Sequence, residues 1–520
     1  MKSKTVYSIA GASLVLSSLS LMSKGIGFIR EIIYAKTFGL SSEYDLFLSS
    51  TALIIVINTA FMFLTQHYFI PAYNRLKKDS PETGDEFFNY TFWWSILIGI
   101  ILAFIFYLFA KPLLFSYMPG VNQTRLNEGV RIISIFLLTI PFNCGISVIS
   151  AYMQAKFRFV YPAISQIILN IVVIVLVYFF SDKMKIFILP VGFVLANIIA
   201  FILLVKPLFN IINLKFVKLL HRGKGTIEFD KIIYLAIIEL LSLSYVLVDR
   251  YFISRLPEGG LAAMNYAVVI FALPISVISI PLNTTMFSRF SRDHVHSPEN
   301  MKSDLFTSMK INNIIIIPLG FILYFWGSSI LRIFFQRGAF NSNSTYLTFQ
   351  VLKYYTFGLV FYSEYLIFVK FFYSINKYKT VMWLSIFAFL LKIIFNVIFI
   401  NKYVQNGLAF STSLIYIFLF FAGYYLLNRS YIKDNIMIAG SQVLYYLFNG
   451  IVSYLFTMLI TSCFGVFQDL PALIINLFVF VLIYIFNSYI IGDKEVQIIT
   501  APVYTLLKKL RDLVPSFRTI

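Results

Sequence analysis

The residues of this chain that could do chemistry are charged side chains set inside strongly apolar segments. Three of them, Lys24, Arg30 and Glu31, lie in the sequence SKGIGFIREIIYAKTFGL, which ends the first such segment. A charge at membrane depth is costly unless it faces a water-filled cavity or has a partner. Because a guanidinium can bind phosphate through two parallel hydrogen bonds, we expect these residues to line an anion-binding cavity. In the alternative, Arg30 and Glu31 reach the membrane interface and pair there.

Four more charged residues extend this set. Asp45 opens the second apolar segment, where a carboxylate suits either the cavity or a helix N-terminus. Asp249 and Arg250 lie near the end of the seventh segment and form either a gate or a local ion pair. Glu239 lies ten residues earlier in the same segment, and a carboxylate there is a functional group by default. We expect Asp45 and Arg250 to line the cavity, and Glu239 and Asp249 to serve coupling or gating.

The tenth segment carries a further pair, Lys353 and Glu364. They are eleven residues apart, which places them on nearly one face of a helix but about three turns apart. Either both line one cavity wall, Lys353 for binding and Glu364 for coupling, or each has its own partner. Asn58 is the polar binding candidate of the second segment. The two cysteines and four histidines lack metal-ligand spacing and no G-x-x-x-x-G-K-[ST] motif occurs, so we predict no metal, cofactor or catalytic residue.

These charges must be positioned by helices that cross a lipid bilayer. The chain is 59% hydrophobic and only 12% charged, and its mean hydropathy is +0.83. A helix needs ~20 apolar residues to cross the hydrocarbon layer, and such stretches recur fourteen times. The sequence therefore predicts an all-α polytopic membrane protein. The predicted crossings are residues 6–34, 46–73, 89–109, 128–154, 162–180, 186–205, 232–254, 263–288, 311–331, 346–369, 380–400, 404–427, 441–463 and 470–491.

The basic residues indicate how these helices are oriented. If both termini lie on one side, the loops of that side hold 27 of the 42 Lys and Arg residues, the opposite loops hold 9 and the crossings hold 6. Loops rich in Lys and Arg stay in the cytoplasm. We therefore expect a multi-pass protein of a bacterial-type inner membrane with both termini cytoplasmic. The net charge of +19 then reflects topology and contact with membrane lipids, and we predict no nucleic-acid partner.

The longest cytoplasmic loop follows the sixth crossing and divides the chain. Short similarities recur in its two parts, as in transporters built from parallel repeats, although generic helix pairs can also produce them. We expect two six-helix lobes plus two extra helices. The predicted domains are an N-terminal lobe at 1–212, a basic linker at 213–230, a C-terminal lobe at 231–428, the last two crossings at 429–492 and an amphipathic basic tail at 493–520.

Three blocks of sequence resemble one protein family. The stretch from Ser23 to Leu40, followed by Asp45, is similar to the amino-terminal signature of the MurJ/MviN family, approximately S-R-x-x-G-F-x-R-[DE]-x-x-x-A-x-x-F-G and then D-x-F. Residues 249–291 resemble the seventh and eighth helices of that family. Residues 331–345, LRIFFQRGAFNSNST, resemble its R-G-x-F loop. Three blocks in the correct order make the resemblance specific.

The resemblance implies a fold and a function. Members of this family are lipid-linked glycan flippases of the MOP superfamily, with fourteen helices in two MATE-like lobes, and their best known substrate is lipid II. The chain departs from the family at three places. It has Lys24 for the first signature arginine, IIVINTAFMF at 54–63 where an arginine pair is usual, and Val268 with Val269 where Asp-Arg is usual. These departures leave lipid II and a related cell-envelope polysaccharide precursor both open as the substrate.

We therefore predict a flippase and not an enzyme. A polyprenyl-pyrophosphate-linked glycan would enter an inward-facing cavity and leave at the outer leaflet by alternating access, driven by a coupling ion or by the membrane potential. One alternative is a MATE-like drug or cation antiporter, which shares the two-lobe plan but usually has twelve helices. The other is a membrane glycan polymerase or ligase, which commonly has a long outer loop or paired acidic residues that this chain lacks.

Overall fold

Every regular element that the computed structural model describes is a helix. The structure describes residues 2–490 except 80, 120, 157, 159, 210, 213–228, 255–257, 297, 433–436 and 464–469. The predicted linker at 213–230 lies almost wholly in one of these gaps, and the predicted tail at 493–520 lies outside the described residues.

Seventeen α-helices follow one another along the described residues. Their bounds are α1 Lys2–Phe38, α2 Ser42–Asp79, α3 Pro81–Leu108, α4 Ala110–Tyr117, α5 Gln123–Phe136, α6 Thr139–Ala155, α7 Val160–Met184, α8 Ile188–Val205, α9 Phe229–Ile253, α10 Gly260–Pro274, α11 Ile280–His296, α12 Pro298–Phe335, α13 Ser342–Thr356, α14 Leu359–Ser374, α15 Tyr378–Leu427, α16 Met437–Cys463 and α17 Leu470–Ile490. Short 3₁₀ segments follow α7 and α8, and π-helical segments follow α10 and α15.

These helices reproduce the fourteen predicted crossings, so the predicted all-α fold class is confirmed. Ten described stretches are long and apolar enough to cross a membrane. Two of them hold two crossings each, because Val160–Leu208 contains α7 and α8, and α15 is interrupted at Val404 (φ 53°, ψ −133°). The helix α1 and the pair α13 and α14 supply the remaining crossings.

The break between α10 and α11 has a visible cause in the sequence. Pro274 ends α10, and the π-helical segment Ile275–Ser279 follows it directly. Proline has no N–H to donate and its ring clashes with the preceding turn. A π-helical turn commonly marks a functional position in a helix. This segment places Ser279 among buried polar residues that are described below.

The contacts group the helices into two units, and the first unit consists of Met1–Val269, Phe334–Val351 and Tyr378–Ser411. In it α1 packs against α7, α2 packs against α5, α6 and α9, and α3 packs against α6. Buried aromatic side chains, among them Phe69, Phe88 and Tyr152, form one of its hydrophobic cores.

A loop of the first unit packs on the end of α1. The Ala339 N–H donates to the Lys36 carbonyl oxygen over 2.8 Å. Gly338 has φ of 59°, and a Cβ atom at this position would lie 2.4 Å from that oxygen. Only glycine fits here, because it has no Cβ and tolerates positive φ. Two sequence blocks that carry the family resemblance are therefore in contact.

The second unit consists of Ile270–Ile333, Leu352–Lys377 and Thr412–Ile520. In it α11 packs against α14, and α16 packs against α17. Asn449 on α16 joins the last two helices, because its Nδ2 donates to the Tyr484 carbonyl (3.0 Å) and to Ser488 Oγ (2.8 Å). The two units interleave along the chain, whereas the lobes expected from the sequence are continuous. The lobe boundaries stay a prediction.

Large apolar side chains also point outward from the helices. On α3, Ile101 is 48% exposed, Phe104 60% and Tyr107 58%. A protein in water rarely exposes so many large apolar groups on one helix. Hydrocarbon chains of a bilayer satisfy such a surface, in agreement with the predicted crossings.

Candidate functional site

Arg30 lies at the centre of a polar cluster in the first unit. Its Nη2 donates to Glu31 Oε1 over 2.6 Å, its Nε donates to the same oxygen over 3.3 Å, and its Nη1 donates to Asn170 Oδ1 over 2.9 Å. The guanidinium carbon also lies 5.5 Å from the ring centre of Tyr34 and 5.6 Å from that of Phe193. A cation in an otherwise apolar region is stabilised by these contacts.

Glu31 connects this cluster to α10. Asn265 Nδ2 lies 3.4 Å from Glu31 Oε2 and 3.4 Å from the Tyr44 hydroxyl. Tyr44 in turn stacks on Tyr266, with ring centres 5.6 Å apart. Glu31 is largely buried, and the Arg30 side chain is 21% exposed. The pair is therefore largely enclosed by the protein, and whether it lies in a cavity or at the membrane interface stays a prediction.

Local sequence explains why Arg30 reaches α7. Gly27 lies one turn before Arg30 on α1, and the nearest side chain to the position of its missing Cβ is Asn170, at 3.7 Å. Gly27 thus lets α1 and α7 pack closely beside Asn170, which is the α7 residue that accepts from Arg30. A guanidinium has five N–H donors, and three of them are directed at Glu31 and Asn170.

Lys24 lies on the same helix as Arg30, closer to its N-terminus. It is an exposed residue on α1, six residues before Arg30 and therefore ~9 Å away along the helix axis. Lys24 and Arg30 thus lie on one helix, and the role of Lys24 in binding the same anion as Arg30 stays a prediction.

Asp45 caps the N-terminus of another helix. Its Oδ2 accepts from the Gly259 N–H over 2.6 Å, and its Oδ1 accepts from the Ala262 N–H over 2.7 Å. These are the unpaired N–H groups at the start of α10. Beside them Arg125 and Glu258 form a salt bridge. A small cavity of about 60 Å³ adjoins this cap and is lined by Asp45, Arg125 and Glu258 among others.

The partner of Asp249 is Lys392, which the sequence pattern did not single out. Asp249 Oδ1 lies 2.8 Å from Lys392 Nζ and accepts from Asn396 Nδ2 over 2.8 Å. Lys392 Nζ also donates to the Leu408 carbonyl (3.1 Å) and to Ser411 Oγ (3.0 Å). Lys392 is 0% exposed. The signal in the sequence was a single lysine inside an apolar segment, but nothing there identified Asp249 as its partner.

Arg250 and Glu239 lie on the same helix as Asp249. Both are partly exposed on α9. The described contacts assign the Asp249 carboxylate to Lys392 and Asn396, and the predicted roles of Arg250 in binding and of Glu239 in coupling stay predictions.

Lys353 and Glu364 have separate partners. Lys353 Nζ lies 5.9 Å from the ring centre of Tyr324, which is a cation–π distance. Glu364 is 0% exposed and accepts from Asn312 Nδ2 over 3.0 Å. Their spacing allowed either a shared cavity wall or a separate partner for each residue, and these contacts favour separate partners.

Asn58 makes a single described side-chain contact. Its Nδ2 donates to Thr139 Oγ1 over 3.2 Å, while its Oδ1 is buried without a hydrogen-bond partner among the described residues. The described part of the chain has no group of three or more His, Cys, Asp or Glu side chains that could hold a metal ion.

An apolar cavity of about 400 Å³ lies in the second unit. It is formed by side chains of α12, α14 and α16, with Thr356 at the end of α13 and Phe357 directly after it, and its lining is mostly aromatic and aliphatic. The residues that define it include Phe321, Tyr324, Phe325, Phe357, Phe361 and Val443.

Comparison with solved structures identifies the fold. The structure described as "Lipid II flippase MurJ, inward closed conformation" superposes with a TM-score of 0.78 at 24% identity, covering 92% of this chain and 99% of that one. An inward-facing multidrug resistance MATE family transporter of the MOP superfamily gives a TM-score of 0.65 at 13% identity, covering 82% and 95%. The helices and the buried charges therefore define a multi-pass membrane protein with the fold of MOP superfamily transporters.

Sequence comparison identifies the family. The profile described as "Lipid II flippase MurJ" matches residues 34–486. A "Probable lipid II flippase MurJ" of Borreliella burgdorferi is 25% identical over 452 residues, which are 84% of this chain and 85% of that protein. A "Lipid II flippase MurJ" of Thermosipho africanus is 25% identical over 408 residues, covering 78% and 83%. This chain belongs to the MurJ lipid II flippase family.

Membership confirms several predictions made from the sequence. The resemblance to the MurJ/MviN family is confirmed, and so is the prediction of a flippase rather than an enzyme, because the family is one of flippases. The chain is a multi-pass protein of the inner membrane. The orientation of its termini and the roles of individual site residues stay predictions.

Proposed function

We propose that this chain moves a polyprenyl-pyrophosphate-linked glycan from the inner to the outer leaflet of the membrane. Its relatives bear the name lipid II flippase, which makes lipid II the first substrate to consider. The observation that carries the proposal for this chain is the Arg30 cluster. An arginine on the signature helix is held inside the protein and keeps N–H donors beyond those used by its two partners.

The chemistry of this cluster suits a pyrophosphate. Glu31 stabilises Arg30 while no anion is bound, since an unpaired charge at this depth would be costly. A pyrophosphate carries more negative charge than one carboxylate and offers several acceptor oxygens to a guanidinium. It can therefore take over donors from Glu31, which keeps its contact with Asn265. Lys24 on the same helix would add a second positive charge.

The departures from the family pattern bear on the headgroup. Where arginines are usual, this chain has Ile, Val and Asn at 54–63, and Val268 and Val269 on α10. Fewer cations leave fewer contacts for a large anionic headgroup. Lipid II and a related envelope glycan precursor share the polyprenyl pyrophosphate that Arg30 would bind, and they differ in the sugar.

The apolar cavity of the second unit offers a place for part of the polyprenyl chain. Its volume of about 400 Å³ is within the usual range for small-molecule sites, and such sites are mostly apolar with few polar groups. Branched isoprene units need apolar contacts and no hydrogen bonds. We propose that this cavity holds isoprene units of a lipid-linked substrate.

Asp45 would hold one side of the protein closed. Its two hydrogen bonds join the start of α2 to the start of α10, and the Arg125–Glu258 salt bridge lies beside them. Both starts belong to the predicted outer side. In alternating access these contacts would form in the inward-facing state and break when the outer side opens.

The membrane potential can drive the cycle without a nucleotide. A potential that is negative inside assists an outward-moving anion by ~2.3 kcal/mol per charge per 100 mV. A MATE-like drug antiporter shares the fold, but no contact of the described site favours a drug over a lipid-linked anion.

The substrate can be identified directly. We would purify the full chain in lipid from a bacterial host and analyse the bound lipids by native mass spectrometry. The expected result is a polyprenyl-pyrophosphate glycan on the wild type, a much smaller amount on Arg30→Ala, and the wild-type amount on Lys111→Ala, which changes an exposed lysine. Recovery of soluble amphipathic compounds without any lipid-linked glycan would support the antiporter and overturn the proposal.

A further inference from the structure

A polar cluster is sealed inside the second unit. Glu364, Ser363, Asn312 and Ser279 are each 0% exposed. Asn312 Nδ2 donates to Glu364 Oε1 over 3.0 Å and to Ser363 Oγ over 2.8 Å, and Ser279 Oγ donates to Asn312 Oδ1 over 3.1 Å. The second carboxyl oxygen, Glu364 Oε2, is buried without a hydrogen-bond partner among the described residues.

The hydrogen bonds of this cluster leave no donor for Oε2. Both amide hydrogens of Asn312 are used by Glu364 and Ser363, and the Ser363 hydroxyl donates to the Val360 carbonyl over 2.7 Å. The Ser279 hydroxyl is used by Asn312. An ionised carboxylate that is fully removed from water needs a cation or several donors, and here it has one. A proton on the carboxyl would remove this uncompensated negative charge.

Charged groups of the neighbouring elements do not neutralise Glu364. Ser279 of the π-helical segment donates to Asn312 of α12, and Asn312 donates to Glu364. The charged residues of α11 lie at its end, where Arg289 pairs with Asp304 and Arg292 pairs with Asp293. On α14 itself the nearest charged residue is Lys370, six residues further on, whose Nζ lies near the rings of Phe287 (5.7 Å) and Tyr373 (6.0 Å). No salt bridge of the described residues includes Glu364. Since no described cation pairs with Glu364, a proton is the remaining group that could neutralise its carboxylate.

The donor geometry also distinguishes a proton from a metal ion. Asn312 directs one amide hydrogen at Glu364 Oε1 and the other at Ser363 Oγ, and its oxygen accepts from Ser279. A metal ion such as Na⁺ needs several oxygen ligands turned toward one point, whereas here an N–H group of Asn312 points toward the carboxyl. The cluster has the form expected around a protonated acid.

A line of polar residues leads from this acid to the end of the bundle. Asn312, Ser308 and Asp304 are spaced four residues apart on α12 and so lie on one face of that helix. Ser308 is 0% exposed, and the Asp304 side chain is 21% exposed. Asp304 Oδ1 lies 3.8 Å from Arg289 Nη1 of α11. These polar residues follow one face of α12 from the partly exposed Asp304 to Asn312, which donates to Glu364. The Ser308 hydroxyl between them donates to the Asp304 backbone carbonyl.

We infer that Glu364 is a proton-binding site, reached along Asp304, Ser308 and Asn312 from the end of the bundle where α11 and α12 meet. One proton binds reversibly to the carboxylate oxygen and leaves by the same line when water reaches it. The proton site stands on the geometry of the second unit alone. Its use as the coupling site of transport rests on the proposed function.

Infrared spectroscopy tests the proton site without any transport substrate. At neutral pH, the spectrum of the wild type minus that of Glu364→Gln should show the carbonyl band of a protonated carboxylic acid. The matched control Glu299→Gln, which changes an exposed acid on α12, should not remove this band. In Asn312→Leu the band should move to higher wavenumber, because Oε1 loses its hydrogen bond.

Two results would overturn the proton site. One is a difference spectrum with the bands of an ionised carboxylate. The other is a thermal unfolding temperature that rises with NaCl more than with choline chloride in the wild type but not in Glu364→Gln, which would show a metal cation. If Glu364→Gln does not fold, the wavenumber shift of the carbonyl band in Asn312→Leu becomes the test. A carbonyl band that does not move in Asn312→Leu would refute the assignment of the proton to Glu364.

A transport assay tests the coupling role separately. In proteoliposomes that contain a polyprenyl-pyrophosphate glycan, a pH gradient should change the rate of the wild type, and Glu364→Gln should lose this response. A response that Glu364→Gln retains would overturn the coupling role. Absence of glycan transport by the wild type would refute the proposed function and leave the infrared result in place.

Discussion

Arg30 and Lys392 are both basic residues inside apolar segments, but their surroundings differ. Lys392 is 0% exposed and its ammonium contacts Asp249, Leu408 and Ser411. The Arg30 side chain is 21% exposed and keeps donors beyond its described contacts. A group with its hydrogen bonds completed inside the protein stabilises the fold, whereas a partly exposed group that keeps N–H donors can bind a ligand. We therefore assign a structural role to Lys392 and a binding role to Arg30.

The structural role of Lys392 leads to a prediction about stability. Lys392→Met should destabilise the protein by about 3–5 kcal/mol, because it leaves the Asp249 carboxylate without its cation. The thermal unfolding temperature in detergent would measure this loss. The double variant Lys392→Met with Asp249→Asn removes both charges and should recover part of it. Equal unfolding temperatures of the wild type and Lys392→Met would contradict the assignment.

The sequence identified most of these side chains but not their partners. Arg30, Glu31 and Asp45 were chosen because charges are rare in apolar segments, and each proves to be held in a specific set of contacts. The partners Asn170, Asn265 and Lys392 are far away along the chain. Their proximity depends on how the helices pack, and one sequence does not encode that in any local pattern.

At the scale of the elements, the positions of the crossings followed from the sequence, but helix ends and breaks did so only in part. The helix α12, for example, begins at Pro298, well before the predicted crossing at 311–331. Hydropathy gives the length of each crossing because the bilayer requires about 20 apolar residues. The break at Pro274 is explained by the missing N–H of proline. The break between α13 and α14, at Phe357 and Gly358, and the interruption at Val404 depend on packing against other helices.

The cap that Asp45 provides for α10 is testable at this scale. Asp45→Ala removes both acceptors from the N–H groups of Gly259 and Ala262, and loss of such a cap costs about 0.5–2 kcal/mol. Amide hydrogen exchange at Ala262 should therefore be faster by roughly 2- to 30-fold. Glu43→Ala, which removes an exposed acid in the same first turn of α2, should leave the exchange unchanged. Unchanged exchange in Asp45→Ala would show that its carboxylate does not cap α10.

For the whole molecule, the sequence predicted those properties that are sums over local segments of the chain. The number of crossings and the loop charges are sums over local segments, and the crossing number is confirmed. The grouping into units is different, because Phe334–Val351 and Tyr378–Ser411 associate with the amino-terminal helices. Such long-range association arises from tertiary packing, which the order of segments along the chain does not determine.

The predicted orientation in the membrane can be measured on intact cells. In a background with Cys144→Ala and Cys463→Ala, we expect Lys111→Cys to react with a membrane-impermeant maleimide from outside. Lys377→Cys should react only after the membrane is permeabilised, because its loop belongs to the side that is rich in Lys and Arg. Both positions are exposed. The opposite labelling pattern would show that the termini lie outside.

The most direct measurement of the central claim is transport by the purified full chain in proteoliposomes that contain a polyprenyl-pyrophosphate glycan. We predict that the wild type brings the glycan to the opposite leaflet. Arg30→Ala should slow this transport about tenfold or more, because it removes charge-assisted hydrogen bonds to the pyrophosphate, and its thermal unfolding temperature should show that it is folded. Arg30→Lys should be intermediate, since an ammonium keeps the charge but not the paired donors. Transport by folded Arg30→Ala at the rate of the wild type would contradict the account.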